Sequence, residues 1–456
     1  MKKRNSILVW LLLLVLLVSG CRAPVATTTA EEPVAEESTE VPEVKEPTEV
    51  PAAAEPVTLA LISNYGPETS KGPVLTSIIE EFMAENPDIE IDVEVEVGED
   101  IPLAIETAFL AGEEPEVILM NYGWGGTGAW VDDGVAIPVT DLYKELGFEG
   151  KFVESAIGEF TDPVTGELEA FPLEGFNWPM WYNTEIMAEA GVEKIPETFA
   201  ELKDAAQKMR DAGYQPFATS GTDWSGGDWF VMGMEAALNT QEDIGVLMEG
   251  GFSENDRARE FVEAFIDLRD SGVFADNAEG MEFAAANELF YTGQAGIMFG
   301  GSWFYGEIPE EIRDKVALGG IPTWEGSATE RPYWWNQFGA KGIFISRNGA
   351  EKLDAIKKFV KFFYQPDMIG RFVQETGMVP PLKEIEVDEE KMNTLFLQSL
   401  EITPDLEAMP PAASVMPGSL VGYGGWYNVT ALAYVPGVTA DEILAELDAM
   451  YAQFGD

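Results

Sequence analysis

The stretch "VTLALISNYGPETSKGPVLTSIIEEFMAENPDIEIDVEVEV", residues 57–97, contains a strand, a helix and a second strand in immediate succession. Its first seven residues form an apolar run of the length of a buried strand. Apolar residues then recur at helical spacing from Leu75 to Phe82, and the helix is predicted to end near Asn86 because a proline follows. Residues 89–97 alternate between apolar and acidic side chains, which predicts a strand with one solvated face.

Strands and helices continue to alternate along the chain. A buried strand is predicted at "EVILMN", residues 116–121, and later strands at "AGIMF", residues 295–299, and "KGIFIS", residues 341–346. This alternation predicts an α/β fold with a largely parallel sheet. Ligands of such sheets bind beyond the carboxyl ends of the strands, so the loops that begin at Asn64 and Asn121 are candidate contacts.

Composition excludes several classes of function. The 456 residues carry a formal net charge of −54, which repels phosphate backbones, so no nucleic acid is expected as a partner. The chain has no histidine, which excludes Ser-His-Asp and Cys-His catalysis and the commonest zinc ligand. The acidic turns at residues 132–134 and 161–167 lack the further ligands of a calcium loop. We therefore expect no cofactor and no metal.

The first 21 residues have the features of an export signal. Three basic residues come first, an apolar run follows at residues 7–18, and the single cysteine of the chain, Cys21, lies behind Ser19 and Gly20. The sequence "VSGC" resembles the lipobox of bacterial lipoproteins, in which cleavage leaves the cysteine first and lipid is attached to its sulfur. The resemblance implies a signal peptide at residues 1–20 and a lipidated Cys21 that holds the protein at a membrane, outside the cytoplasm.

Residues 21–56 are predicted to form a disordered linker behind that anchor. The segment consists largely of Glu, Pro, Ala, Val and Thr and contains no aromatic residue. Such a composition buries too little apolar surface to offset the entropy of ordering. The remaining residues, from 57 to 456, are long enough for two domains with cores of their own.

Four stretches of this body share a pattern with a known family. They are "LAGEEPEVILMNYGWGG" at 110–126, "WYNTEIMAEAGVEKIPETFAELKDAAQKM" at 181–209, "FYTGQAGIMFGGSWF" at 290–304 and "FVKFFYQPDMIGRFVQETGMVPP" at 359–381. In this order they resemble the extracellular solute-binding proteins of sugar ABC transporters, the maltose-binding-protein-like group. Glu116 departs from the pattern, because an aspartate usually stands at that position. The resemblance covers residues 57–456.

The resemblance implies a two-lobe periplasmic-binding-protein-like fold, similar to type II, with a hinge and a ligand cleft between the lobes. It implies a receptor that binds a sugar or oligosaccharide, has no chemistry of its own, and delivers the ligand to the permease subunits of an ABC importer. We expect a monomer. The lobes are expected to comprise residues 57–165 plus 322–370 and residues 166–321 plus 371–456.

A sugar site needs flat aromatic faces and fixed polar groups, and many of the twelve tryptophans lie in loops beside glycine, asparagine or aspartate. Trp303 is the strongest single candidate, because it follows a strand end and two glycines, and Ser302 is expected to cap a helix that Trp303 begins. Trp181 and Tyr182 are expected in the core. The predicted ligand-binding residues are Asn64, Tyr65, Asn121, Trp124, Asn177, Trp178, Asp223, Trp224, Trp303, Trp335, Asn336, Tyr423 and Trp426.

Two alternatives remain open at the level of sequence. A surface glycoside hydrolase would need two carboxylates in one cleft, and Asp223 and Asp228 are candidates for that pair. A receptor for a non-sugar solute such as a polyamine is compatible with the many carboxylates of the chain.

Overall fold

The computed structural model describes residues 56–95, 101–122, 124–409 and 425–454. The predicted signal peptide, Cys21, the linker and Tyr423 lie outside the described residues.

The described ranges contain ten strands. They are β1 (Val57–Ser63), β2 (Ile89–Val95), β3 (Val117–Asn121), β4 (Phe171–Asn177), β5 (Met180–Asn183), β6 (Gln215–Ala218), β7 (Ala295–Phe299), β8 (Val316–Gly319), β9 (Tyr333–Ile345) and β10 (Glu407–Met409). The first strand, the helix after it and the second strand all form where the opening stretch predicts them.

The same ranges contain seventeen α-helices, and none of these has the length and apolar composition needed to cross a bilayer. They are α1 (Gly72–Glu85), α2 (Ile101–Ala111), α3 (Thr140–Glu145), α4 (Glu154–Glu159), α5 (Thr184–Ala190), α6 (Phe199–Asp211), α7 (Trp224–Leu238), α8 (Val246–Glu249), α9 (Asp256–Asp270), α10 (Phe283–Tyr291), α11 (Phe304–Glu307), α12 (Glu310–Arg313), α13 (Leu353–Phe363), α14 (Pro366–Thr376), α15 (Thr394–Ile402), α16 (Trp426–Tyr434) and α17 (Ala440–Phe454).

Two separate sheets organise these elements. The large sheet has the order β10-β9-β3-β1-β2, and a sixth strand, β4, also pairs with β9. The small sheet has the order β6-β7-β5-β8. The prediction of a largely parallel sheet is wrong, because β9 runs antiparallel to β3 and β4, and β5 runs antiparallel to β7 and β8. Both sheets are mixed, although β1 is parallel to β2 and to β3 as the opening stretch requires.

Each sheet has a hydrophobic core of its own. The strands β1, β3 and the end of β9 pack against α1, α13 and α14 in one cluster of buried residues. The helices α6, α7 and α9 pack with β7 and with the start of β9 in another. Trp181 and Tyr182 are fully buried, as expected. Two mixed sheets with separate cores form a two-lobe α/β fold; the residue bounds of the lobes stay a prediction.

Local sequence explains the formation of helix α6. Thr198 caps it by accepting a hydrogen bond from the backbone N–H of Glu201 at 3.2 Å. The Glu201 carboxylate reaches back to the N–H of Glu197 at 2.9 Å, one residue before the cap. Apolar residues at helical spacing from Phe199 to Met209 face the core.

The chain crosses between the two sheets at two connections of different length. β4 ends at Asn177 in the large sheet, and β5 begins at Met180 in the small sheet, so two residues make this crossing. A second crossing, from Gly319 to Tyr333, joins β8 to β9. Residues on these crossings are therefore near both sheets.

Candidate functional site

Four of the predicted ligand-binding tryptophans lie together. We call Trp178, Trp224, Trp303 and Trp335 the tryptophan cluster. The ring of Trp178 is central: its centroid lies 5.1 Å from that of Trp303, 5.6 Å from that of Trp335 and 5.9 Å from that of Trp224. All three pairs meet edge to face, an arrangement that aromatic quadrupoles favour.

The four tryptophans come from widely separated parts of the chain. Trp178 lies on the two-residue crossing between β4 and β5, and Trp335 lies in β9 of the large sheet. Trp224 begins α7, and Trp303 follows the end of β7 in the small sheet. The cluster thus joins strand ends of both sheets, where α/β folds bind their ligands.

The indoles of the cluster differ in exposure. Trp178 and Trp335 are only 8% and 5% exposed, whereas Trp224 and Trp303 are half-buried. The latter two therefore offer apolar faces that a ligand can reach. The buried Nε1–H of Trp178 has no hydrogen-bond partner among the described residues. An unpaired buried donor is unfavourable, so a polar group of a ligand would stabilise it.

The local structure around Trp303 differs from the prediction. We predicted that Trp303 begins a helix capped by Ser302, but α11 begins at Phe304 and Trp303 occupies the cap position. The hydroxyl of Ser302 accepts instead from the N–H of Asn177 at 3.4 Å, and the Ser302 N–H donates to the Asn177 carbonyl at 2.8 Å. These bonds fix the loop before Trp303 to the crossing that carries Trp178.

A second group, of buried charged and polar side chains at the large sheet, lies near the tryptophan cluster. We call Tyr65, Lys71, Glu174 and Lys341 the lysine cluster. Lys71 Nζ lies 2.5 Å from a carboxylate oxygen of Glu174, and the Tyr65 hydroxyl donates to the other oxygen. Lys341 Nζ lies 4.2 Å from the centre of the Tyr65 ring and donates to Asn64 Oδ1 at 2.5 Å. The predicted residues Asn64 and Tyr65 therefore take part in one polar network.

Burial sets the electrostatics of the lysine cluster. Burial lowers the pKa of Lys341 to about 7, while the carboxylate of Glu174 opposes this shift. Burial, with further contributions from Glu174, raises the pKa of the Tyr65 hydroxyl well above its ordinary value. The network therefore offers fixed donors and acceptors in a place from which water is largely excluded.

Phe176 connects the two clusters. Lys71 Nζ lies 6.0 Å from the centre of its ring, and the Trp303 ring lies 5.3 Å away on an edge-to-face contact. Aromatic faces and buried polar groups are thus continuous in space. This combination can bind a molecule with both apolar C–H faces and hydroxyl groups.

Sequence reasoning missed Lys71, Glu174 and Lys341. Two of them left a signal in the sequence, because Glu174 interrupts an otherwise apolar strand and Lys341 opens another. A charge at a strand position that is otherwise apolar needs a buried partner, which marks the position as a candidate for a functional site.

The predicted asparagines lie near these clusters. Asn177 Oδ1 accepts a hydrogen bond from the Tyr305 hydroxyl at 3.2 Å, and Asn177 pairs with Asn336 across β4 and β9. Asn121 ends β3, and its buried Oδ1 has no hydrogen-bond partner among the residues described. Trp124 begins a short 3-10 helix, Trp124–Ala129.

Two predicted residues have mainly structural contacts. Asp223 caps α7, accepting from the N–H of Ser225 at 3.1 Å and from the N–H of Phe283 at 2.7 Å. Trp426 is 1% exposed and packs against Phe252 and Tyr451, so the structure does not bring it into the tryptophan cluster. In the described parts of the chain, no three side chains of metal-ligand type are grouped to hold a metal ion.

Comparison with known proteins gives a consistent result. The family model for bacterial extracellular solute-binding proteins matches residues 65–368. A maltotriose-binding protein of Pyrococcus abyssi is 25% identical over 328 residues, which cover 70% of this chain and 66% of that protein, just under two thirds of its length. The sn-glycerol-3-phosphate-binding periplasmic protein of Escherichia coli strain K12 is 26% identical over 327 residues, or 69% of this chain and 73% of that protein.

The fold also matches solved structures. The crystal structure of a probable secreted solute-binding lipoprotein from Streptomyces coelicolor aligns with a TM-score of 0.73 at 29% identity. The alignment covers 88% of this chain and 99% of that one.

Proposed function

The chain belongs to the family of bacterial extracellular solute-binding proteins, and from this premise we propose that it binds a sugar or oligosaccharide and delivers it to an ABC import permease. The tryptophan cluster is the observation that carries the proposal. Half-buried Trp224 and Trp303 can stack on the C–H faces of sugar rings, while the lysine cluster supplies donors and acceptors for hydroxyl groups.

The relatives support a polyhydroxylated ligand. One is a maltotriose-binding protein and another binds sn-glycerol-3-phosphate, so both take solutes rich in hydroxyl groups. The site described above has the same mixture of apolar and polar surface that such solutes present.

We place the ligand between two lobes that close on it. One lobe would comprise residues 57–165 plus 322–370, and the other residues 166–321 plus 371–456. The hinge would consist of the two crossings, from Asn177 to Met180 and from Gly319 to Tyr333. In this arrangement the protein works as a monomer.

The receptor would be held outside the cytoplasm by a lipid on Cys21. Two or more fatty chains give the firm anchoring that one chain does not. Cys21→Ala should leave the precursor without lipid, which mass spectrometry of the purified protein and its partition between membrane and soluble fractions would test. Normal retention of a cleaved Ala variant at the membrane would contradict the anchor.

The hydrogen bonds of the two candidate carboxylates, Asp223 and Asp228, favour a binding protein over a glycoside hydrolase. Asp223, one of the two candidates for a hydrolase pair, already accepts two backbone hydrogen bonds, and Asp228 accepts one from the Tyr427 hydroxyl at 2.8 Å. Prolonged incubation with oligosaccharides should therefore release no new reducing ends. Their release at a rate that falls in Asp228→Asn would favour the hydrolase.

The experiment that tests the proposal is a thermal-shift screen against neutral oligosaccharides of different linkage and length. A ligand that binds the native state alone raises the melting temperature by mass action. We expect at least one oligosaccharide to raise it and calorimetric titration to give one site. A screen in which phosphorylated or amino acid ligands raise the melting temperature and no sugar does would contradict a carbohydrate receptor.

A further inference from the structure

Helix α7 carries two acidic residues on one face, next to the tryptophan cluster. Asp228 and Glu235 are seven residues apart, so they lie on the same side of the helix at a separation of roughly 10 Å along its axis. They are only 8% and 2% exposed. No lysine or arginine in the described ranges forms an ion pair with either, which is rare for buried acids.

Aromatic polar groups surround this pair. The Tyr427 hydroxyl donates to Asp228 at 2.8 Å, and the indole N–H of Trp335 donates to Glu235 Oε2. The remaining Glu235 oxygen, Oε1, has no hydrogen-bond partner among the described residues, and neither has the fully buried hydroxyl of Tyr333. Tyr333 and Trp335 alternate along β9 and so lie on one face of that strand.

In the described part of the chain, the charged groups that shift the pKa values of this pair are acidic. Burial raises the pKa of Asp228 to about 7; the bond from Tyr427 lowers it and the negative charge of Asp223 raises it. Burial, opposed by the bond from Trp335 and assisted by Asp228, raises the pKa of Glu235 well above its ordinary value. Burial and Glu235 together raise the pKa of the Tyr333 hydroxyl. A positive charge placed here would favour ionisation of both acids.

Aromatic rings with buried carboxylates are the surroundings that a desolvated ammonium group requires. An ammonium group would supply the positive charge that no lysine or arginine of the described ranges brings to the two acids, and it would pair with them in their ionised form. Trp335 belongs both to the tryptophan cluster and to this pocket, since its ring contacts Trp178 and its N–H bonds to Glu235. A ligand seated on the indoles can therefore extend one substituent toward α7 as the lobes close.

We infer that Asp228 and Glu235, with Tyr333, Trp335 and Tyr427 around them, form a subsite for a primary ammonium group, so that the preferred ligand is an amine-bearing sugar. The inference rests on the proposed function, because the tryptophan cluster must hold the sugar. An ammonium group also occurs on polyamines, and the test separates the two sources.

The test is calorimetric titration of the full protein with three probes: cellotriose, the β-1,4-linked glucosamine trimer of the same backbone, and spermidine. The variant pair is Asp228→Asn with Glu235→Gln, in which the introduced amide oxygen keeps an acceptor for the indole N–H of Trp335. The matched control is Asp256→Asn with Glu263→Gln, the same two changes at the same spacing on the exposed face of α9. Thermal melts establish that each variant is folded.

We expect the glucosamine trimer to bind the unchanged protein at least about tenfold more tightly than cellotriose. The Asp228/Glu235 variant should lose that preference and keep its affinity for cellotriose, while the α9 control should bind all probes as the unchanged protein does. Binding of the trimer should release protons, measured as a dependence of the heat on the ionisation enthalpy of the buffer.

Equal affinity for the two trisaccharides would overturn the subsite and leave the proposed function standing. An amine preference that survives in the Asp228/Glu235 variant, or that falls equally in the α9 control, would also overturn it, because long-range attraction by the acidic surface would then explain the preference. Spermidine binding that depends on Asp228 and Glu235, without binding of either sugar, would support the subsite and contradict the carbohydrate receptor. Failure of both amine probes to bind overturns the subsite.

Discussion

At the scale of single residues, Trp303 and Trp324 allow binding and stability to be separated. Trp303 is half-buried in the tryptophan cluster, whereas Trp324 packs in the core against Phe199 and Phe261. Trp303→Ala should lower sugar affinity at least about tenfold, since aromatic anchors commonly contribute about 2 kcal/mol. Trp324→Ala should instead lower the free energy of unfolding by about 3 to 5 kcal/mol and leave the affinity of the folded protein unchanged.

Calorimetric titration and thermal melts on both variants check this prediction. A Trp303→Ala protein that melts far lower but binds sugar normally would assign Trp303 to the core. The sequence marked Trp178, Trp224, Trp303 and Trp335 as candidates, and the structure brings these four indoles together; their role in binding stays a prediction. Trp426, a further candidate, lies apart from them, because it packs against Phe252 from a distant part of the chain.

The buried Lys341 should make the free energy of unfolding rise with pH above neutrality. Its pKa is about 7 in the folded protein and takes the ordinary value of 10.5 in the unfolded chain. Between these values the unfolded chain binds more protons, so the free energy of unfolding rises with pH across this window. Lys341→Met should remove a rise on the order of 2 kcal/mol between roughly pH 7 and pH 9.

Urea unfolding at the two pH values measures the effect, and Lys358→Met, at a half-exposed position on α13, is the control. The same pH slope in Lys341→Met as in the unchanged protein would refute a desolvated lysine at this position. The partners within the lysine cluster could not be predicted from sequence, because Lys71 and Lys341 meet Glu174 only after strands far apart in the chain have paired.

At the scale of elements, α7 depends on close packing at glycine. A Cβ on Gly226 would overlap the carbonyl oxygen of Ser220 and lie 3.1 Å from the ring of Tyr434. Gly226→Ala should therefore destabilise the protein by about 1 to 3 kcal/mol, although alanine favours helix by up to about 1 kcal/mol. Gly158→Ala in α4, where a Cβ meets nothing within 4 Å, should be neutral or stabilising.

Chemical denaturation of the two alanine variants provides the measurement. Equal stabilisation of both would mean that the backbone at Ser220 and the ring of Tyr434 can move away from α7 without loss. Local sequence predicted α1 well, since the spacing of its apolar residues and the proline after Asn86 define it. It also predicted the end of β9, at residues 341–346, but missed the first eight residues of that strand, from Tyr333 to Ala340, which are held by pairing with β4 and β10 rather than by local pattern.

At the scale of the whole molecule, the two crossings make closure testable. Because the tryptophan cluster takes residues from both sheets, a bound sugar would contact both lobes and stabilise their approach. Saturating ligand should lower the radius of gyration measured by small-angle scattering, and Trp303→Ala at the same ligand concentration should show a smaller change. A profile that does not respond to saturating sugar would contradict a hinge mechanism.

The late position of β9 has a consequence for biosynthesis. Val117–Asn121 pairs with Lys341–Ile345, which a ribosome adds roughly 200 residues later, or about 10 to 40 s at ordinary rates of translation. Until then β3 and β4 lack the strand that joins them, and the first core cannot be completed. The nascent polypeptide therefore cannot complete its fold while it is being synthesised. A chain terminated before Tyr333 would expose two unpaired strand edges prone to aggregation.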